Sequence, residues 1–194
     1  TYHDGNLYFS EIEKIWVIKE IDAWLLSNKE NDPKVEIYID DLPSETWHGF
    51  RHIRFGPDDK LYLPIGVPCN VCIDPQTKDK RFAAIHKYEN GKLVMVADGV
   101  RNSVGIDWHP DTQNLYFSDN GRDWLGDNTP SCELNVVTEE GSFYGFPYKH
   151  AKNVIDPEFG KLISGLNVDF VDPIAELGPH VAPLGIEFYV GKKF

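Results

Sequence analysis

One short pattern, Leu-Tyr followed by an apolar residue, returns three times along the chain. It reads Leu7-Tyr8-Phe9, Leu61-Tyr62-Leu63 and Leu115-Tyr116-Phe117. Both intervals are 54 residues (61 − 7 and 115 − 61). A repeat of roughly 40–50 residues built from short strands marks a β-propeller, in which each period is one four-stranded blade. The 194 residues hold about 3.6 such periods (194/54). A propeller closes as a ring, and an unclosed one leaves bare sheet edges. The chain therefore reads as an all-β partial propeller, a fragment of a longer protein. Its blade units are expected near 1–45, 46–100 and 101–180, with a further blade starting at 181–194.

Composition agrees with many short strands. Thirteen prolines and sixteen glycines supply tight turns, and 41% hydrophobic residues suffice for a sizeable core. A net charge of −12 argues against nucleic acid as partner and is compatible with a hard cation such as calcium. No apolar run reaches the roughly 18–20 residues of a membrane span. Cys69 and Cys72 form an isolated C-x-x-C, with Cys132 elsewhere. Without a second pair this is read as two loop cysteines, free or disulfide-linked, rather than a zinc site.

Strands are expected at 7–10, 14–19 and 35–40, with a loop or short helical turn over 20–34. Hairpins are expected for 50–55 with 61–65, 82–88 with 92–97, 106–108 with 115–118, and 133–137 with 142–144. Gly185 to Val190 reads as an opening strand of a fourth unit. The longest stretch without strand character is 119–132, where Trp124 and Leu125 favour an ordered loop. Tyr8, Tyr62, Tyr116, Trp16 and Trp108 are assigned to packing between blades.

Three polar clusters recur in phase with the repeat: Trp47-His48-Gly49-Phe50-Arg51, Gly99 to Gly105, and Gly178 to Gly185. Aligning Gly49, Gly105 and Gly185 as the starts of innermost strands brings His48, Arg101, Asn102 and His180 to one end of the axis. Together they offer a base, a fixed cation and a hydrogen-bonding amide. His109 reads as a solvated turn residue, and His3, His52, His86 and His150 have no companions that suggest a role.

These residues also resemble a family. His48-Gly49-Phe50-Arg51 with Phe55-Gly56-Pro57-Asp58-Asp59-Lys60-Leu61-Tyr62 looks like the opening of the soluble glucose/sorbosone dehydrogenases. Gly99-Val100-Arg101-Asn102-Ser103-Val104-Gly105, then Asp119-Asn120-Gly121-Arg122-Asp123, looks like their arginine-asparagine motif and cofactor loop. Glu133-Leu134-Asn135 and Tyr144-Gly145-Phe146-Pro147 resemble the segment that follows. The resemblance implies a six-bladed β-propeller, periplasmic or secreted, that oxidises an aldose or related sugar with pyrroloquinoline quinone (PQQ) and Ca2+ and passes electrons to an external acceptor. It implies His48 as the base, with Arg101 and Asn102 on the cofactor and His180 beside them. It places the carbonyls of Gly121 and Arg122 on calcium, and a second, structural calcium near Glu133 and Tyr144.

The sequence departs from the family pattern at two points. Gly66-Val67 stands where glucose-oxidising members carry Gly-Asp, an Asp that orients the base. Cys132 stands where many carry Asp. Because basic PQQ ligands of later blades fall outside these residues, the fragment alone is expected to be inactive. Two other classes share the architecture. A calcium-dependent lactone hydrolase needs acidic axial ligands, where this chain is expected to offer His, Arg and Asn. The other is a non-catalytic propeller that binds a partner protein.

Overall fold

The computed structural model describes residues 1–27 and 31–193. The first sheet is an antiparallel meander of β1 (Tyr2–His3), β2 (Asn6–Ser10), β3 (Ile15–Ile18) and β4 (Val35–Ile39). Helix α1 (Ile21–Leu26) begins the connection from β3 to β4, and the part expected at 28–30 lies outside the described residues. The second sheet runs β5 (Arg54–Phe55), β6 (Leu61–Ile65), β7 (Ala84–Glu89) and β8 (Lys92–Asp98), with α2 (Asp74–Lys78) between β6 and β7. The third sheet starts with β9 (Gly105–Trp108), β10 (Leu115–Asp119) and β11 (Ser131–Val137). The chain then lays β12 (Ser142–Phe143) parallel to β8 and forms a small hairpin of β13 (Lys149–His150) and β14 (Val154–Ile155). It returns as β15 (Ala175–Pro179), the outer strand beside β11.

The burial of β6 explains how the sheets stack. Side chains alternate across a strand, and all five of its residues are buried. Leu61, Leu63 and Ile65 pack with Tyr8, Ile15, Val17 and Ile39 of the first sheet. Tyr62 packs the other way, with Ile106, Leu115 and Phe117 of the third. The second sheet is thus covered on both faces, as a blade between blades must be. The repeat tyrosines make the seams. Tyr8 meets Phe55 edge-on at 4.8 Å, Tyr62 meets Trp108 at 4.9 Å, and Tyr116 meets Phe188 at 4.9 Å. Each such pair contributes about 0.5–1.5 kcal/mol beyond its buried area.

The residue preceding each seam aromatic locates the axis. These are Arg54, Asp107 and Glu187, and they touch each other across three units. Arg54 pairs with Asp107 at 3.2 Å and grips Glu187 with two bonds of 2.8 and 3.1 Å. Equivalent positions of successive blades can meet only where the blades converge. The partial propeller expected from the repeat is therefore what the chain forms. Acidic residues do stand on this axis, contrary to the expectation of His, Arg and Asn alone, and Arg54 neutralises them.

Further expectations need correction. The hairpin expected for 133–137 with 142–144 does not form: β12 pairs parallel with β8, and the outer edge of β11 is taken by β15. Gly185 to Val190 joins no ladder among the described residues; it follows the inner edge of the third sheet. Ser118 Oγ donates to the Leu184 carbonyl at 2.8 Å, and the Phe188 N–H donates to Asp107. The same serine bond occurs two seams earlier, from Ser10 to the Arg51 carbonyl at 2.7 Å. Gly49 is also out of phase with Gly105 and Gly185. Counted back from the seam aromatics it lies six residues away (55 − 49), whereas they lie three away (108 − 105 and 188 − 185). The stretch 50–53 is not strand, and Arg51 is buried there, donating to the carbonyls of Pro43 and His48.

Candidate functional site

Counting from the seams aligns two of the expected site residues. His48 and Arg101 each sit seven positions before their seam aromatic (55 − 48 and 108 − 101). The structure brings them to the same end of the axis. Between them lies Gly66, at the end of the buried strand β6. A Cβ on Gly66 would come within 2.7 Å of Asn102 Oδ1 and 2.8 Å of His48 Cβ. Only a residue without a side chain lets the imidazole and the amide approach this closely.

Val67, at the position where an aspartate was expected, meets His48 through its backbone. Its carbonyl lies 2.6 Å from His48 Nδ1. A carbonyl only accepts, so Nδ1 carries the hydrogen and Nε2 of the neutral ring keeps the lone pair. Burial and the neighbouring Arg101 charge hold the His48 pKa below its ordinary value, which favours that neutral form. The Val67 N–H donates to the Arg101 carbonyl at 3.0 Å, which ties His48 and Arg101 to the backbone of one residue.

Arg101 is only 5% exposed and its partners are neutral oxygens. Nε and Nη2 donate to the carbonyl and side chain of Asn70 at 2.8 and 3.0 Å, and Nη1 donates to the Asn120 carbonyl at 3.0 Å. The nearest carboxylate, Asp123, is 3.9 Å away. Asp119, the last residue of β10, accepts the N–H groups of Arg101 and Asn102 at 2.9 and 2.7 Å and so fixes the turn that carries them. Asp119 pairs across the ladder with Glu133, and burial together with that second carboxyl pushes its pKa up to about 7.

The remaining expected residues surround this centre. His180 is exposed and one residue out of phase. Its Nε2 lies 2.9 Å from the Gly126 carbonyl and its Nδ1 3.6 Å from Asp123. Gly121 donates its N–H to Cys132 Sγ at 3.4 Å. The Arg122 side chain forms a buried 2.5 Å ion pair with Asp156, which also meets His150 Nε2 at 3.0 Å. Glu133 is bonded through both oxygens, to the Ala151 N–H at 2.6 Å and to Asn135 Nδ2 at 2.9 Å. Tyr144 donates its hydroxyl to the Val136 carbonyl at 2.9 Å, in the core against Phe117. Among the described residues no three His, Cys, Asp or Glu side chains gather as a metal cluster.

Sequence reasoning missed Asn70, Asp123, and the His150 and Asp156 pair. The loop 119–132 is ordered by these polar clamps, not by Trp124, which is 83% exposed. Cys69 and Cys72 form a disulfide, one of the two outcomes expected.

An oriented histidine and a buried arginine thus share one end of the partial propeller's axis. The chain belongs to the glucose/sorbosone dehydrogenase family, whose model matches residues 25–194. It is 42% identical over 200 aligned positions to an uncharacterized protein of Borreliella burgdorferi, spanning all of this chain and 52% of that one. The chain thus spans about half the length of the curated relative it matches. Three solved structures share the fold. A Trichoderma reesei carbohydrate-active enzyme of family AA12 superposes with TM-score 0.75 at 20% identity, covering 96% of this chain and 56% of that one. The PQQ-bound aldose sugar dehydrogenase of Streptomyces coelicolor gives 0.61 at 22% identity, covering 94% and 52%. The apo soluble aldose sugar dehydrogenase of Escherichia coli gives 0.63 at 16%, covering 93% and 54%.

Proposed function

We propose that the whole protein oxidises an aldose or related sugar outside the cytoplasm, using PQQ and Ca2+ and an external electron acceptor. The observation that carries this reading is the placement of His48 and Arg101 on either side of the Gly66-Val67 unit. The residues fit an anionic quinone. Arg101 is solvated by carbonyl and amide oxygens, so its charge is not cancelled locally and stays available to a carboxylate. PQQ, when bound, supplies the two-electron acceptor. His48, held through Nδ1, takes the sugar hydroxyl proton at Nε2. Arg101 and Asn102 hold the cofactor's oxygens, with His180 at the rim. The carbonyls of Gly121 and Arg122 would hold Ca2+, and Glu133 and Tyr144 would hold a second ion only by giving up their present hydrogen bonds.

Lactone hydrolysis has less support, because Arg54 occupies the axial carboxylates Asp107 and Glu187. The test is dye-linked oxidation of a panel of aldoses by the full-length protein with PQQ and Ca2+. Activity that falls at least about a hundredfold in His48→Gln supports the reading, since a positioned base contributes on that order. Gluconolactone hydrolysis without PQQ, or no oxidation of any aldose, contradicts it.

A further inference from the structure

The site rests on a loop whose chemistry the proposed reaction does not use. Between the bridged Cys69 and Cys72, Asn70 makes four hydrogen bonds to two distant segments. Its carbonyl accepts Arg101 Nε at 2.8 Å, and its Oδ1 accepts both Arg101 Nη2 at 3.0 Å and the Asp123 N–H at 2.8 Å. Its Nδ2 donates to the Asp123 carbonyl at 3.0 Å. Both lone pairs of the amide oxygen are therefore taken, and an arginine can only donate, so one orientation of the amide satisfies all four bonds. The Cys69 N–H donates to the Val67 carbonyl at 2.9 Å, the same oxygen that receives His48 Nδ1. One covalently closed loop thus reaches the base through Val67 and the cation through Asn70.

We propose that Asn70 is the positioning residue of this site and that the Cys69–Cys72 disulfide holds it there, so that reduction loosens Arg101, Asp123 and His48 together. This deepens the proposed function and rests on it. Both cysteines are half-buried and within reach of a small dithiol. In the exchange the dithiol gives up two electrons and two protons and leaves as its own cyclic disulfide. The S–S bond breaks, and two protein thiols form. Val67, Ala83 and Phe146 still hold the loop's apolar side, so the blades remain packed while the closure that restricts Asn70 is lost.

The test uses the whole protein without cofactor, oxidised and then treated with dithiothreitol. Opening the Cys69–Cys72 bridge should raise the denatured thiol count by two. Amide exchange followed by NMR should show Asp123 exchanging about tenfold faster on reduction and again in Asn70→Ala, while strand amides of β6 and β10 keep their rates. The His48 ring titration should also move up. The charges acting on it are Arg101, which lowers its pKa, and more weakly Asp123, which raises it, so freeing both favours protonation. A role confined to packing would leave that titration in place. Two new thiols with unchanged Asp123 exchange and unchanged His48 titration would overturn the proposal. If Asn70→Ala does not fold, the reduced wild-type protein decides alone. These readouts need no sugar oxidation, so an inactive holoenzyme would end the functional reading without touching this one.

Discussion

Two buried arginines of this chain live in opposite surroundings. Arg122 faces a carboxylate, Asp156, at 2.5 Å, with His150 completing a closed network. Arg101 faces carbonyls and an amide, with its nearest carboxylate at 3.9 Å. The first charge is cancelled where it stands, and its work is to hold the loop after β10. The second is held mainly by dipoles, with Asp119 and Asp123 acting on it from farther away and an oriented histidine beside it. Burying a cation without its counter-ion is costly unless something else gains from it. An arginine kept this way is the one to expect under an incoming anion.

The largest effect that could break this contrast is on stability. Arg122→Met strands the buried Asp156 charge and should cost about 3–5 kcal/mol in urea unfolding. Arg101→Met strands carbonyl and amide acceptors and a more distant Asp123 carboxylate, and should cost about 1–3 kcal/mol. Equal losses would mean that the two arginines do the same job. Gly66→Ala sharpens the geometry next. Its methyl group would press on His48 Cβ and Asn102 Oδ1, an overpacking of about 1–3 kcal/mol. Sugar oxidation by the full-length variant should fall further than its stability does.

The smallest effect is a pH shift. On the proposed function His48 works as the neutral ring, so activity should be lost as pH falls through its folded pKa, which burial and the Arg101 charge hold below the ordinary value. Removing the Arg101 charge eases protonation, so in Arg101→Met the acid limb of residual activity should move up. A limb that stays put or moves down would separate the two residues.

Much of the fold is legible because the repeat is made by packing that recurs. Tyr8, Tyr62 and Tyr116 each meet an aromatic one blade on, and that demand writes itself into the sequence at one interval. The fourth strand of the third blade was not legible. β15 pairs with β11 only after the excursion through β12, β13 and β14, so no short hairpin announces it. The segment at 185–190 reads as strand from its residues, yet it finds no neighbour among the described residues to ladder with.

In the site, His48 and Arg101 were legible by phase. Their support was not. Val67 meets His48 through its carbonyl, which any residue would offer, so its identity gave no sign of the contact. Asn70 acts on partners 31 and 53 positions away, and nothing local marks such bonds. Glu133 and Asp119 look from sequence like separate residues, and only the register of β10 with β11 makes them a pair.

The central claim is that the Arg101 pocket is kept charged for an anionic cofactor. Equilibrium binding of PQQ to the full-length protein in excess Ca2+, wild type against Arg101→Met, tests it directly. Loss of a charge-assisted contact of about 1.5–3 kcal/mol should weaken binding by at least about tenfold in the variant. Equal affinities in two folded proteins would show that the pocket holds nothing of the kind.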